Sequence, residues 1–284
     1  MEGIMKSIFV PVELHTSIDS VFRTAVLLAR QFGGHIEGAP LGPDLPDLVA
    51  FDMPVSWTVS DQNAWREIAD EAHRKFESAM MENGVPLHEP SGPRSESTPT
   101  CSWSGEHSLG DSQTAALARV FDVAIMGRPG SDRGDPRMAT AEAAIFESGR
   151  PVLLAPPKPV EKLGETIVIS WNQSTETARA VAFAMPLLLK AKSVFVMTTE
   201  GFGVDGPPGE LMARTLRLHG VNAEALTRPN GRSDGEAILE QAAKLGGDLL
   251  IKGAYTQSRL RQMIFGGATS HILNKAQMPV LMAN

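Results

Sequence analysis

Thr166-Ile167-Val168-Ile169-Ser170-Trp171-Asn172-Gln173-Ser174 is a short β-rich run, a polar turn and then a serine placed to cap a helix. The apolar-periodic stretch that follows predicts that helix from about Ser174 to Lys190. The same order of events opens the chain. Ser7-Ile8-Phe9-Val10-Pro11-Val12-Glu13 leads through polar residues to a predicted helix from about Ser17 to Gln31, stopped by Gly33-Gly34. The closing segments repeat as well. Phe121-Asp122-Val123-Ala124-Ile125-Met126-Gly127 matches Gly247-Asp248-Leu249-Leu250-Ile251-Lys252-Gly253, and Pro151-Val152-Leu153-Leu154-Ala155 matches Pro279-Val280-Leu281-Met282-Ala283. One α/β unit is thus written twice.

The runs are compact and apolar without strict alternation, as strands covered on both faces read. Strands alternate with predicted helices, which demands right-handed crossovers and parallel pairing. The expected fold class is α/β: two doubly wound, parallel five-stranded sheets, each ordered 3-2-1-4-5, packed as a pseudo-dimer. The Pro156-Pro157-Lys158-Pro159 linker divides an N-terminal domain, 1–157, from a C-terminal domain, 162–284. The Asp-containing strands lie closer together in number than the opening strands, so the first half carries extra residues in its middle. Pro40 to Ser60 and Pro90 to His107, rich in Pro, Gly and Ser, are the expected places.

Each final strand falls at a sheet edge in that order, and a bare apolar edge invites pairing. The two final strands are expected to pair with each other; a further homodimer is compatible with this. Pro186 is expected to kink or end its helix.

Composition narrows the function classes. The chain has 284 residues, 42% of them hydrophobic, and a formal net charge of −7. That balance argues against a nucleic-acid binder, which needs a basic footprint. No stretch is long and apolar enough to span a bilayer, no signal-peptide pattern opens the chain, and the single Cys101 fits a reducing compartment. A cytoplasmic protein without membrane partners is expected. The histidines lack paired ligand spacing, so no structural metal is expected. Neither a nucleophile elbow nor a Walker loop occurs.

Gly253-Ala254-Tyr255-Thr256, followed after nine residues by Gly266-Gly267-Ala268-Thr269, resembles the signature loop of the universal stress protein family: glycine, two residues, glycine, nine residues, glycine, then serine or threonine. Trp171-Asn172-Gln173-Ser174 and the terminal Met278-Pro279-Val280-Leu281-Met282 resemble its first strand-turn and its last strand. The resemblance implies a non-enzymatic stress-response sensor or binding protein. Its implied ligand is an adenine nucleotide, ATP or AMP, held in the second half by Ser170, Asn172, Gly253, Thr256, Gly266, Gly267 and Thr269.

The physics of such a loop is general: glycines expose backbone N–H groups to phosphate, and the following helix adds a favourable partial charge. In a 3-2-1-4-5 sheet, Asn172 and Gly253 both stand at the topological switch point. Three departures stand out. Asn172 replaces the family's acidic residue, Thr256 its second glycine, and Gly267 its hydroxyl, with Thr269 two positions on. In the first half Pro129 removes an N–H, and Thr140-Ala141 replace glycine and hydroxyl, so no nucleotide is expected there. Arg128, Arg133 and Arg137 read as a solvated loop. The alternatives are a nucleotide-free interaction module with both loops structural, or a weak ATPase.

Overall fold

The computed structural model describes residues 5–42, 57–88, 97–105, 108–130, 132, 134–201, 203–229, 234–254 and 268–284, with backbone alone for 57–64 and Asp234. The first half runs β1 (Ser7–Val12), α1 (Ile18–Phe32), β2 (His35–Pro40), α2 (Trp57–Glu82), β3 (Thr100–Trp103), α3 (Asp111–Ala118), β4 (Val123–Gly127), α4 (Met138–Glu147) and β5 (Val152–Ala155). The second runs β6 (Thr166–Ser170), α5 (Thr175–Lys190), β7 (Ser193–Thr199), α6 (Gly209–Leu218), β8 (Ala223–Arg228), α7 (Asp234–Lys244), β9 (Leu249–Gly253), α8 (Ala268–Lys275) and β10 (Val280–Ala283).

The described strands form one ten-stranded sheet in the order β3-β2-β1-β4-β5-β10-β9-β6-β7-β8. Each half is therefore 3-2-1-4-5 and wholly parallel inside. The one antiparallel pair is β5 with β10, in the register Val280↔Leu154, Leu281↔Leu153 and Met282↔Val152. Pairing the two final strands satisfies both apolar edges at once.

Two apolar layers cover the sheet, and both run across the two halves. One joins α1, α2, α5 and α6 through residues such as Phe22, Phe76, Leu187 and Leu216. The other joins α3, α4, α7 and α8 through Ala118, Ile145, Ile238 and Ile272. The alternation of strand side chains divides the core between these layers: Leu249 and Ile251 face the first, Leu250 the second.

The aspartate repeated in both halves has a structural explanation. The Asp122 carboxylate accepts the backbone N–H groups of Lys6 and Ser7 at 2.8 and 2.9 Å. Asp248 accepts those of Gly164, Glu165 and Thr166 at 2.8, 3.0 and 3.3 Å. Each ties the start of its half's first strand to the start of its fourth, at the end of the sheet opposite the switch-point crevice.

Two expectations are corrected. The stretch 90–107, read as inserted, contains β3, whose short TCSW run gives little period-2 signal. Ser17 makes no side-chain cap; its backbone N–H and hydroxyl turn to His15 Nδ1, both at 3.1 Å. Helix α5 runs to Lys190 as expected, and of the two outcomes expected at Pro186 the end does not occur, because the packed face outweighs one missing N–H. Gly33, at φ 57°, ends α1 as expected, in the left-handed conformation that favours glycine.

Candidate functional site

The β6–α5 turn builds one wall of the second-half crevice. Gln173 takes a positive φ of 68°, an uncommon state for a side-chain-bearing residue, and this folds Asn172 back over the start of α5. Asn172 Oδ1 accepts from the Ser174 hydroxyl at 2.8 Å, the Ser174 N–H at 3.3 Å and the Thr177 hydroxyl at 2.5 Å. Ser174 Oγ in turn accepts the Thr177 N–H at 3.2 Å, so Ser174 is the expected N-cap.

Asn172 and Gly253 meet where the strand order places them, with Thr177 between them. A Cβ on Gly253 would stand 2.6 Å from Thr177 Oγ1 and closer still to its backbone nitrogen. Glycine is required there by the chain's own packing against α5, independently of any phosphate.

The chain after β7 lies over the same turn. The Val204 N–H donates to the Asn172 carbonyl at 3.1 Å, and the Trp171 indole N–H donates to the Pro207 carbonyl at 2.8 Å. Trp171 is buried within the apolar layer that α5 and α6 share. A Cβ on Gly203 would meet the Asn172 carbonyl oxygen at 2.8 Å, and one on Gly206 the Gln173 carbonyl oxygen at the same distance. These glycines allow the 203–208 segment to close on the end of β6.

The other wall belongs to the α7/α8 face of the sheet. Ser170 stands beside Lys252 in the β6–β9 register. Lys252 is only 5% exposed, and its Nζ donates to the Gly253 carbonyl and to Thr269 Oγ1 in the first turn of α8, both at 2.8 Å. Burial alone pulls this ammonium down to about 8. Of the sequence-predicted residues, Ser170, Asn172, Gly253 and Thr269 come together around the ends of β6 and β9. Thr256, Gly266 and Gly267 lie outside the described residues.

The corresponding crevice in the first half is filled by the protein itself. Arg137 bonds Glu13 at 2.9 Å and Asp111 at 3.0 Å, and donates to the Gly42 carbonyl at 2.9 Å. Thr140, at the place of the third signature glycine, donates to Asp111 at 2.6 Å. Burial raises the Glu13 carboxyl despite the attraction of Arg137. His15 and Pro136 close in on Gly127, where a Cβ would lie 2.9 Å from the imidazole.

The solvated-loop reading of the arginines is therefore corrected for two of them. Arg137 pairs with carboxylates, and Arg128 donates to the carbonyls of Pro129, Leu273 and Asn274. Arg133 lies outside the described residues. Among the described residues no cluster of three or more His, Cys, Asp or Glu side chains suits a metal ion, and no helix is long and apolar enough to cross a membrane. Cys101 is buried and its thiol is pushed up to about 12, which makes it inert.

Sequence reasoning missed Lys252, Thr177 and the Glu13–Arg137–Asp111 cluster. A signal was present for the first: Lys252 is the one charge in the run Leu249-Leu250-Ile251-Lys252-Gly253, read as covered on both faces. Thr177 and Asp111 carried no such mark.

Comparison with known proteins bears out the family resemblance. Residues 216–284 match the universal stress protein family model. A universal stress protein from Archaeoglobus fulgidus has the same fold, with a TM-score of 0.71 at 13% identity over 99% of this chain and 97% of its own. A putative universal stress protein from Pseudomonas aeruginosa matches with a TM-score of 0.50 at 14% identity, covering 99% of this chain and 94% of its own. The cytoplasmic domain of a prokaryotic cation chloride cotransporter matches with a TM-score of 0.50 at 13% identity, over 97% of this chain and 94% of its own. No curated protein sequence matches. The chain thus has the fold of universal stress proteins along its length, with the family's sequence pattern in its C-terminal segment.

Proposed function

We propose that this is a non-catalytic stress-response binding or sensor protein of the universal-stress type, acting in the cytoplasm, with one ligand site per chain. The site is the second-half crevice and its ligand an adenine nucleotide, ATP or AMP. Ser170, Gly253, Thr256, Gly266, Gly267 and Thr269 would contact it, with Asn172 shaping the wall.

The asymmetry of the two crevices carries this reading. In the first half an arginine already spans two carboxylates where a ligand would lie. In the second, the equivalent strand ends present a buried ammonium and hydroxyl groups with no carboxylate bonded to them among the described residues. Such a cradle favours an anion.

A specific observation favours a second reading, a nucleotide-free interaction module. The Asn172 carboxamide oxygen is already committed to capping α5, and the 203–208 segment closes on the turn. One titration separates the two. With ATP, with and without magnesium, a nucleotide-binding protein gains thermal stability by mass action and forms no ADP. No shift at millimolar ATP leaves the interaction module, and a shift accompanied by turnover makes the protein an ATPase.

A further inference from the structure

Among the described residues, the bonded partners of the buried Lys252 cation are all neutral. Its ammonium has three donors; the Gly253 carbonyl and the Thr269 hydroxyl take two of them. No described carboxylate lies within ion-pair distance. The flanking stretch 255–267 contains no acidic residue and adds two further arginines, Arg259 and Arg261. Taking a charge out of water without a counter-charge is costly, and an apolar side chain would serve the packing better. Met282 and Ser170 stand at the adjoining register positions, and Leu250, two residues before Lys252, packs among apolar neighbours.

The position gives the charge a use. Lys252 stands at the carboxyl end of β9, and its ammonium reaches the first turn of α8, where backbone N–H groups and the helix dipole favour an anion. Thr269 Oγ1 accepts from the ammonium, which leaves its own O–H free to donate and polarises it to do so. Ser170 supplies a second hydroxyl on the same face, one strand spacing away. Ammonium, polarised hydroxyl and helix end converge as charge-assisted donors to one tetrahedral oxyanion.

We propose that Lys252, with Thr269 and Ser170, binds a phosphate group, supplying the counter-charge that the glycine loop alone does not. This rests on the reading that the second half takes a phosphorylated ligand, but not on that ligand's having a base. Lysine here acts as a point charge, so a free polyphosphate fits the donors as well as a nucleotide does.

The test is a thermal and calorimetric titration of the full chain with inorganic pyrophosphate and, separately, with ATP. Wild type is compared with Lys252→Met and Thr269→Val. Without ligand, Lys252→Met is expected to melt no lower than wild type, which shows that it is folded. Pyrophosphate is expected to stabilise wild type and to bind Lys252→Met about tenfold or more weakly, the loss of one charged hydrogen bond; Thr269→Val falls in between. If pyrophosphate binds this way and ATP binds no tighter, the phosphate site stands and the nucleotide reading falls. If ATP binds wild type and Lys252→Met equally, the proposal is overturned and the nucleotide reading survives. If neither ligand binds wild type, both are overturned.

Discussion

The Arg128 guanidinium, at the end of β4 in the first half, donates to the Leu273 carbonyl of α8 in the second, at 3.3 Å. The same Nη1 donates to the Asn274 carbonyl. The last turn of a helix has carbonyls without intrahelical partners, and a cation there is favourable. The first half therefore closes a helix of the second, and this is the helix whose first turn holds Thr269.

Arg128→Met is expected to lower stability by roughly 1–2 kcal/mol, the range for hydrogen bonds to a charged group discounted for partial exposure. Urea denaturation followed by circular dichroism measures it. An unchanged midpoint would mean that this contact is energetically silent.

The β5–β10 seam should be far less tolerant. Leu153 and Leu281 face each other in register and both are fully buried. Leu281→Asp places an unpaired carboxylate in the shared core, a change expected to cost more than about 4 kcal/mol. The readout is loss of soluble protein or of cooperative unfolding, with Leu281→Met as the tolerated control.

Asn172 separates capping from ligand binding. Asn172→Ala removes the acceptor shared by Ser174 and Thr177 and is expected to cost ~1–2 kcal/mol. Asn172→Asp keeps the acceptor and adds a charge that suits a helix start, so its thermal midpoint should stay close to wild type. A neutral Asn172→Ala would remove the structural role assigned to this side chain.

His15 gives a pH signature. Burial pulls its imidazole down to about 4, and Nδ1 accepts from the Ser17 N–H, which suits the neutral ring. The unfolded chain takes up the proton near pH 6.5, so between these values it binds more protons than the folded one. The contribution is complete above about pH 6.5 and is lost as pH falls toward 4. Measured from pH 7 to pH 4, the stability of wild type should decline more steeply than that of His15→Asn.

The fold was legible because its evidence was redundant. Ser7–Glu13 and Thr166–Asn172, the paired Asp-containing strands and the two final strands each repeat the same compact apolar run, and the strand order follows from their alternation with helices. β3 escaped because Thr100–Trp103 is a short edge strand bounded by Pro- and Ser-rich sequence. The site was half legible. Ser170, Asn172, Gly253 and Thr269 converge as chain order requires. Their hydrogen bonds depend on side-chain rotamers and on the 203–208 segment, which no local pattern encodes. Spacing likewise could not show that Arg137 would bridge Glu13 to Asp111, since those residues meet only after folding.

The proposed function requires that one half of this duplicated fold take a ligand while the other, filled by Arg137, does not. Equilibrium binding of ATP to the full chain, read for stoichiometry by calorimetry, tests it most directly. One site per chain is expected, lost in Gly266→Asp and retained in Arg137→Met. Two sites per chain, or a single site that disappears in Arg137→Met and survives in Gly266→Asp, would contradict it.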